Sequence, residues 1–443
     1  MNKSILIRGG RVIDPVSSLD AKADIYIKEG RVEAVKQGGK FTAPEGTPVF
    51  DATGLVVSPG FVDLHAHLRE PGQEHKETIA TGAKAAAKGG FTTVCAMPNT
   101  VPAQDSRSTI EFVQSRAQGS AAVRVLVISA VSKGRAGKEL VEMAELARLG
   151  VVGFSDDGSP VGDAQMMRHA LSLGRMLDLP IMDHCEDTDL CHGGVMNEGR
   201  VATRLGLRGM PGAGEETVVA RNLILSKLTG GHVHICHMST AGSVELVRHA
   251  KSQGVRVTAE VTPHHLVLTD DLVAAGAMYD TNTKVNPPLR TLRDNEALAQ
   301  ALRDGVIEAI ATDHAPHAAE DKLCEYDQAA FGISGFETAF GSVMSLVHAG
   351  KIALPLLIDR LTLGPARIIA RDKEGIGTLR VGAPGDIAVL DPDAEWQVDV
   401  KSFLSKGKNS PLNGKRLKGK VVATVYGGAV VYQEQRQVTT RAG

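Results

Sequence analysis

Two histidines stand two residues apart in the segment VSPGFVDLHAHLREPG (57–72), where an apolar run ends. Side chains of a β-strand alternate between its two faces, so residues i and i+2 point the same way. His65 and His67 would therefore converge on one point, as two ligands of one metal ion do. A hydrogen-bonded pair of core histidines would have the same spacing, and the pair alone does not decide between these interpretations.

Other ionisable side chains end later apolar runs of the chain. They are Asp156 and Asp157 in VVGFSDD, His184 in PIMDHCE, His237 in HVHICHMS and Asp313 in IEAIATDHAPH. A hydrophobic core does not need so many ionisable groups, because burying each of them unpaired costs several kcal/mol. A metal site does need them, and two ions would divide the set naturally. The residues therefore predict a metal centre where these segments meet.

The order of the apolar segments predicts how these residues are brought together. The candidate strands are 60–67, 91–99, 123–132, 151–157, 180–186, 232–239, 256–265 and 307–317. Helix-like runs or longer insertions follow them, and this alternation predicts an α/β fold, a parallel (β/α)8 barrel of the TIM type. Active sites of such barrels lie at the C-terminal ends of the strands. The candidate ligands occupy those ends.

The two ends of the chain resemble each other more than they resemble the middle. Residues 1–58 are predicted to form short strands separated by turns, and residues 376–443 show the same pattern. We expect these two parts to pair into one small β-sandwich beside a metal-dependent barrel formed by residues 59–375.

Several residues near the candidate ligands are not expected to bind metal. His232 and His234 form a second His-x-His pair, but strand alternation places them with Cys236 on the face opposite His237. Cys236 is expected to pack against helices. His264 or His265 of TPHH could reach the mouth of the barrel, although the site is complete without them.

Composition limits the function classes. The 443 residues include 49 Lys and Arg against 51 Asp and Glu, a balance that argues against a dedicated nucleic-acid-binding protein. The cysteines number 5, an odd count with no Cys-x-x-Cys pair, which indicates a reducing, cytoplasmic compartment. We find no apolar run long enough for a signal peptide or a membrane span, so neither nucleic acid nor membrane is an expected partner.

A series of motifs along nearly the whole chain resembles the type I dihydroorotases of the amidohydrolase superfamily. In order, the motifs are GFVDLHAHLREPG, AMPNT, DDG, HCED, CHMST, TPHHL, NPPLR, ATDHAPH, FGISGFETA and SFLSKGKNSP. His-x-His alone would indicate only the superfamily, whereas His-x-His-x-Arg followed by PNT and DHAPH is more specific. The resemblance implies zinc-dependent, reversible cyclisation of N-carbamoyl-L-aspartate to (S)-dihydroorotate with loss of water, a step of pyrimidine (UMP) biosynthesis.

The resemblance also implies a ligand set for zinc. His65, His67 and Asp313 would hold one ion, and His184 and His237 a second. Many relatives bridge the two ions with a carboxylated lysine, but this chain has Asp157 there, a shorter bridge that leaves the number of zinc ions at one or two. Asp313 would in addition be catalytic, moving a proton between water and the ring nitrogen.

Substrate contacts follow partly from charge and partly from the resemblance. Arg69 can hold the substrate carboxylate by a bidentate pair, unless it is a solvated loop arginine. The resemblance places His67 beside the substrate and adds further contacts to the carboxylate and the ring amides: Asn99, Asn286, His317, Phe331 and Gly332. Asn99 and Asn286 could instead cap turns beside their prolines.

Two alternatives remain at this point. A sister cyclic amidase, such as a hydantoinase or an allantoinase, would share the metal site but typically carries the lysine bridge. A non-catalytic partner of aspartate transcarbamoylase would have lost metal ligands, whereas every ligand position is filled here. A homodimer, and a complex with aspartate transcarbamoylase in addition to catalysis, stay open.

Overall fold

The computed structural model describes residues 3–276 and 278–434. The strands are β1 (Ile5–Asp14), β2 (Leu19–Lys28), β3 (Arg31–Gln37), β4 (Val49–Asp51), β5 (Val56–Pro59), β6 (Phe61–Ala66), β7 (Phe91–Ala96), β8 (Arg124–Val127), β9 (Ile181–Asp183), β10 (Met196–Asn197), β11 (Gly209–Met210), β12 (Val233–Ile235), β13 (Val257–Val261), β14 (Ala309–Ile310), β15 (Ile387–Gln397), β16 (Arg416–Tyr426) and β17 (Ala429–Gln433).

Helices follow most strands of the middle region. They are α1 (Ile79–Lys88), α2 (Arg107–Ser120), α3 (Met143–Arg148), α4 (Ala164–Leu177), α5 (Arg200–Leu205), α6 (Gly212–Thr229), α7 (Ala241–Ser252), α8 (Pro263–Val267), α9 (Leu292–Asp304), α10 (Ala339–His348), α11 (Leu354–Leu361) and α12 (Leu363–Ile368). No helix within the described ranges is both long and apolar enough to cross a membrane.

Helix α1 shows how local sequence sets these elements. Thr78 caps its first turn by accepting a hydrogen bond from the backbone N–H of Thr81, and the helix ends at Gly89. The buried face carries Ile79, Ala83 and Ala86, small enough for the helix to lie close against β7. The chain thus returns from the end of β6 to the start of a parallel neighbour.

The middle region closes into a barrel of parallel strands. One sheet has the order β6-β7-β8, and another has the order β14-β13-β12-β9. Phe154 joins them through parallel bridges to Ser129 and Ile181, and a parallel bridge between Ala66 and His314 closes the ring. The predicted TIM-type barrel is confirmed.

The barrel strands are shorter than the sequence predicted. The candidate strand 232–239 is hydrogen-bonded as a strand only over Val233–Ile235, and 151–157 contributes a single bridging residue. His237 therefore lies beyond its strand, and strand alternation does not determine its direction. The prediction for Cys236 is wrong for the same reason: its side chain lies inside the barrel, in a cluster with Met182 and Ala309 and beside His65 and Glu260.

Both ends of the chain form one further sheet. It has the order β17-β16-β15-β5-β1-β2-β3, with β4 paired to β1. Buried side chains of β1, β2, β5, β15 and β16 share one hydrophobic core, so the predicted sandwich from both termini is confirmed. The boundaries at residues 58 and 375 stay predictions; Gly60 alone separates β5 from the first barrel strand.

Candidate active site

The histidines and carboxylates predicted from the sequence meet at one end of the barrel. Of three groups in the described part of the chain whose ligand atoms all lie within 4.8 Å of one another, one is His65, Cys236 and Glu260 and two consist only of predicted ligands; His65 belongs to all three. Of these two, one is His65, His67 and Asp313, and the other is His65, Asp157 and His237. Each group could hold a metal ion.

Asp157 lies at the centre of this cluster. Its Oδ1 is 3.2 Å from Nε2 of His65 and 3.3 Å from Nε2 of His237. Its Oδ2 is 3.5 Å from Nε2 of His67. The neighbouring Asp156 instead accepts hydrogen bonds from the backbone N–H groups of residues 131 and 132. The structure thus brings Asp157, and not Asp156, among the histidines.

Outer contacts determine which nitrogen of each ring faces inward. Nδ1 of His65 lies 2.8 Å from a carboxylate oxygen of Glu260, and Nδ1 of His67 lies 2.8 Å from Oδ1 of Asn99. Nε2 of His184 lies 2.8 Å from a carboxylate oxygen of Glu186. Those oxygens only accept hydrogen bonds, so the nitrogens facing them donate. In each neutral ring the other nitrogen then directs a lone pair into the cluster.

Among the described residues, several nitrogen lone pairs of the cluster face neither a hydrogen-bond donor nor a cation. Nδ1 of His184 lies only 3.0 Å from Nε2 of His237. Across residues 3–276 and 278–434, no hydrogen-bond partner meets the buried Nε2 of His65 or Nδ1 of His237. A cation would satisfy these atoms, and imidazole with carboxylate is a donor set that suits zinc. The side chains therefore fit a metal ion.

Electrostatics keeps the two carboxylates ionised. Burial alone would raise the pKa of Asp157, but when the imidazoles carry a second proton in place of a cation, the charge of His65 and the contacts with His184 and His237 outweigh burial and hold that pKa well below its usual range. Burial also acts to raise the pKa of Asp313, and the contact with protonated His67 outweighs it, so this pKa is lowered too. Both groups can then bind a cation at neutral pH, since a ligand must be deprotonated.

Three residues of the site adopt left-handed backbone conformations directly after barrel strands. The φ angles are 32° for His237, 45° for Asp313 and 62° for Arg69. Positive φ is uncommon for residues other than glycine and costs about 1–3 kcal/mol each. These turns direct the three side chains to the site, which strand geometry alone would not do.

A cavity of about 210 Å³ opens beside the cluster. Its lining residues are His67, Arg69, Asn99, Asp157, Gly158, His184, His237, Asn286, Asp313, Ala315, His317, Phe331 and Gly332. The structure therefore brings all the predicted substrate contacts to one cavity, while His65 lies fully buried behind its wall. His264 and His265 are not part of this lining within the described chain, and both ring nitrogens of His265 are held by Thr262 and Pro287.

Arg69 is the cationic side chain of the cavity. It is only 7% exposed, so the alternative of a solvated loop arginine is wrong. Its Nε donates to the carbonyl of Pro316 at 3.2 Å, which fixes the guanidinium against the wall. Burial lowers the pKa of Arg69 to about 10, and the side chain stays cationic at neutral pH. It can bind a carboxylate.

The other predicted contacts hold one another in place. Nε2 of His317 lies 2.9 Å from the carbonyl of Phe331, and the backbone N–H of Gly332 donates to the backbone carbonyl of Lys284. Gly332 has a φ of 146°, and a Cβ there would lie 2.7 Å from the carbonyl of Ala315. The chain can therefore approach this closely only with glycine at that position.

Sequence reasoning assigned no role to three residues that organise the site. Glu260 and Glu186 orient ligand candidates, as described above, and Asn409 joins two loops of the cavity. Oδ1 of Asn409 accepts the backbone N–H of His317, and its Nδ2 donates to the carbonyl of Gly332. A carboxylate inside the apolar run RVTAEV was the signal for Glu260, and the motif SFLSKGKNSP was the signal for Asn409.

The barrel with His-x-His on its first strand, an aspartate after its last strand and an attached sandwich define an amidohydrolase. A family model described as dihydro-orotase-like matches residues 54–243, and one described as amidohydrolase family matches residues 228–432. The dihydroorotase of a Geobacter species is 48% identical over 430 residues, covering 97% of this chain and 99% of that protein. The dihydroorotase of a Thermoanaerobacter species is 50% identical over 435 residues, covering 98% of each. The chain belongs to the dihydroorotase family.

Solved structures of related cyclic amidases share the fold. The L-hydantoinase (dihydropyrimidinase) from Arthrobacter aurescens superimposes with a TM-score of 0.87 at 25% identity, covering 98% of this chain and 97% of that one. A D-hydantoinase (dihydropyrimidinase) from a Thermus species gives a TM-score of 0.82 at 26% identity, with the same coverage. The fold is therefore common to enzymes whose names differ in substrate, and the side chains of the cavity must distinguish them.

Proposed function

We propose that this chain is a zinc-dependent dihydroorotase that interconverts N-carbamoyl-L-aspartate and (S)-dihydroorotate in pyrimidine (UMP) biosynthesis. Membership of the family supports the reaction type. The observation that carries the substrate assignment is the buried Arg69 in the wall of the cavity that adjoins the histidine cluster. Within residues 3–276 and 278–434, the guanidinium of Arg69 contacts the carbonyl of Pro316 and the ring of His317 and forms no ion pair with a carboxylate. A fixed guanidinium of this kind suits a substrate that brings its own carboxylate.

We assign the metal ligands in two overlapping sets. His65, His67 and Asp313 would hold one zinc and His184 and His237 a second, with Asp157 in contact with both sets. Bound zinc would supply a water that ionises near neutral pH and would polarise the amide carbonyl. Asp157 would be a shorter link between the two sets than a carboxylated lysine, so the ion of His184 and His237 would be the more weakly held of the two.

Residues of the chain orient the substrate and move the proton. Arg69 holds the carboxylate beside the ring, and the amide of Asn99, whose oxygen is already bound by His67, donates its N–H to the same group. Oδ1 of Asp313 lies 3.0 Å from Nε2 of His67, so we assign proton transfer to Oδ2. In ring opening, this oxygen takes a proton from water as the water attacks the carbonyl carbon. It then delivers the proton to the ring nitrogen as the carbon–nitrogen bond breaks.

A direct assay tests the proposal. Purified protein with zinc should interconvert carbamoyl-aspartate and dihydroorotate, and metal analysis of the same sample should give one or two zinc ions per chain. Hydantoin and dihydrouracil, which present no carboxylate to Arg69, are the comparison substrates. Faster hydrolysis of either of them than of dihydroorotate would overturn the assignment in favour of a hydantoinase.

The proposal places the enzyme in the cytoplasm with a small-molecule substrate. Size-exclusion chromatography of the purified chain, alone and with aspartate transcarbamoylase, distinguishes a monomer, a homodimer and a complex.

Asn409 provides a prediction about substrate binding. The Asn409→Ala variant should raise KM for carbamoyl-aspartate about tenfold, because the loops of His317 and Gly332 lose the amide that joins them and leave buried groups unpaired, at a cost of about 1–3 kcal/mol. Asn295→Ala is the matched control, since Asn295 is buried and donates to the carbonyl of Leu268 outside the cavity. Both variants should unfold at a lower temperature. An unchanged KM in Asn409→Ala would contradict the role in positioning.

A further inference from the structure

The second His-x-His pair, which binds no metal in the proposed site, lies on a line of polar side chains inside the barrel. Glu260 of β13 is fully buried, and its Oε1 lies 2.8 Å from Nδ1 of His65. Its Oε2 lies 3.2 Å from Nε2 of His234, also fully buried. Nδ1 of His234 lies 2.9 Å from Oγ1 of Thr258, which lies 2.8 Å from Nε2 of His232. The line runs from the metal cluster towards the opposite end of the barrel.

Glu260 contacts ligand candidates from two different strands. Besides contacting the ring of His65 in β6, its Oε1 accepts the backbone N–H of His237, which follows β12, at 3.4 Å. His237 is one of the residues held in a left-handed conformation. One carboxylate oxygen thus fixes both the orientation of a ring and the strained turn that carries another ligand.

The donor and acceptor roles of these groups determine which atom carries the hydrogen at each contact along the line. An ionised Glu260 only accepts, so Nδ1 of His65 carries hydrogen. Nε2 of His234 lies within ion-pair distance of Oε2 without meeting hydrogen-bond geometry, and it carries hydrogen because a lone pair facing the carboxylate would be repelled. Nδ1 of a neutral His234 must then accept from the hydroxyl of Thr258. The oxygen of Thr258 in turn accepts the N–H of His232. Each group along the line determines the state of the next, and the line ends by directing the lone pair of Nε2 of His65 at the metal cluster.

We propose that Glu260, His234, Thr258 and His232 form a positioning chain that fixes the orientation and tautomer of His65 and thereby sets the zinc affinity of the site. This inference rests on the proposed zinc-dependent function. A carboxylate behind a metal-bound imidazole orients the ring and raises its basicity, and loss of such a partner typically weakens metal binding about 10–100-fold. The chain also gives His232 and His234 a role that does not require them to touch the metal.

Zinc affinity of the apoenzyme, measured by competition with a chromophoric chelator, tests the chain. Glu260→Gln removes the charge at constant shape and should weaken zinc binding about tenfold or more. Thr258→Val removes the hydroxyl and should weaken it less, while Thr258→Ser, which keeps the hydroxyl, should bind zinc as the wild type does. Glu337→Gln is the matched control, because Glu337 is a buried glutamate that contacts Lys88 and the backbone of residues 404 and 405, outside the cluster.

The outcomes separate positioning from a merely structural role. Lower thermal stability of apo Glu260→Gln with zinc affinity within twofold of the wild type would overturn the proposal. Equal zinc affinities of Thr258→Val and Thr258→Ser would overturn it as well. Should Glu260→Gln fail to fold, the comparison of these two Thr258 variants tests the proposal in its place. A wild-type chain that bound no zinc would instead refute the proposed function, so the two failures are distinguishable.

Discussion

The Asp313→Asn variant should still bind zinc at saturating metal and turn over at least ~100-fold more slowly, the lower end of what a positioned acid–base group contributes. Asparagine keeps an oxygen ligand, and His65 and His67 remain to hold the same ion. What it loses is the ability to take the proton of the attacking water. Turnover measured against zinc concentration should therefore reach a plateau far below that of the wild type.

Asp157→Asn is the matched comparison, because the same chemical change occurs at the other carboxylate of the cluster. Asp157 contacts histidines of both proposed ligand sets, so its loss should chiefly weaken metal binding, above all for an ion held by His184 and His237. Added zinc should restore part of its activity. Full rescue of Asp313→Asn by zinc would show that Asp313 is a ligand only.

Much of this site could be predicted from the sequence because barrel topology places strand ends together. His65 and His67 follow from the period of two in a strand, and the remaining candidates follow from the rule that strand ends meet at one mouth. The structure brings all of them together, with Asp157 chosen over its neighbour Asp156. The sandwich formed by two distant segments was equally predictable, since both segments showed the same pattern of short strands separated by turns.

The rest depends on tertiary contacts that have no local signal. The positive φ angles of Arg69, His237 and Asp313 arise only because the surrounding barrel holds these residues, and no local sequence pattern predicts them. Strand alternation therefore failed for His237: His234 and Cys236 share one face as alternation predicts, and the turn at His237 brings its side chain to the same side. Asn409 lies about 90 residues along the chain from the loop of His317 that it holds, so only the fold could reveal the contact.

The Arg69→Met variant should fold and keep its zinc but lose most of its activity. Methionine preserves much of the apolar length of the side chain while removing the charge that faces the substrate carboxylate. Truncating one partner of a buried charge pair costs about 2–5 kcal/mol, so kcat/KM for carbamoyl-aspartate should fall at least about 30-fold. The effect should appear mainly as a higher KM, because the carboxylate is held in both the ground state and the transition state.

Arg221→Met controls for the loss of a guanidinium that binds backbone carbonyls, since Arg221 donates to the carbonyls of Val161 and Gly162 away from the cavity. It should keep kcat/KM near the wild-type value. For Arg69→Met, zinc content and the circular dichroism spectrum separate a binding defect from misfolding. The decisive measurement compares the rates of the variant on dihydroorotate and on hydantoin. Hydantoin has no carboxylate, so the loss of Arg69 should not change the rate of its hydrolysis. If Arg69→Met kept a near wild-type kcat/KM for dihydroorotate, the carboxylate clamp would be wrong, and a hydantoinase-like specificity would again describe the cavity better.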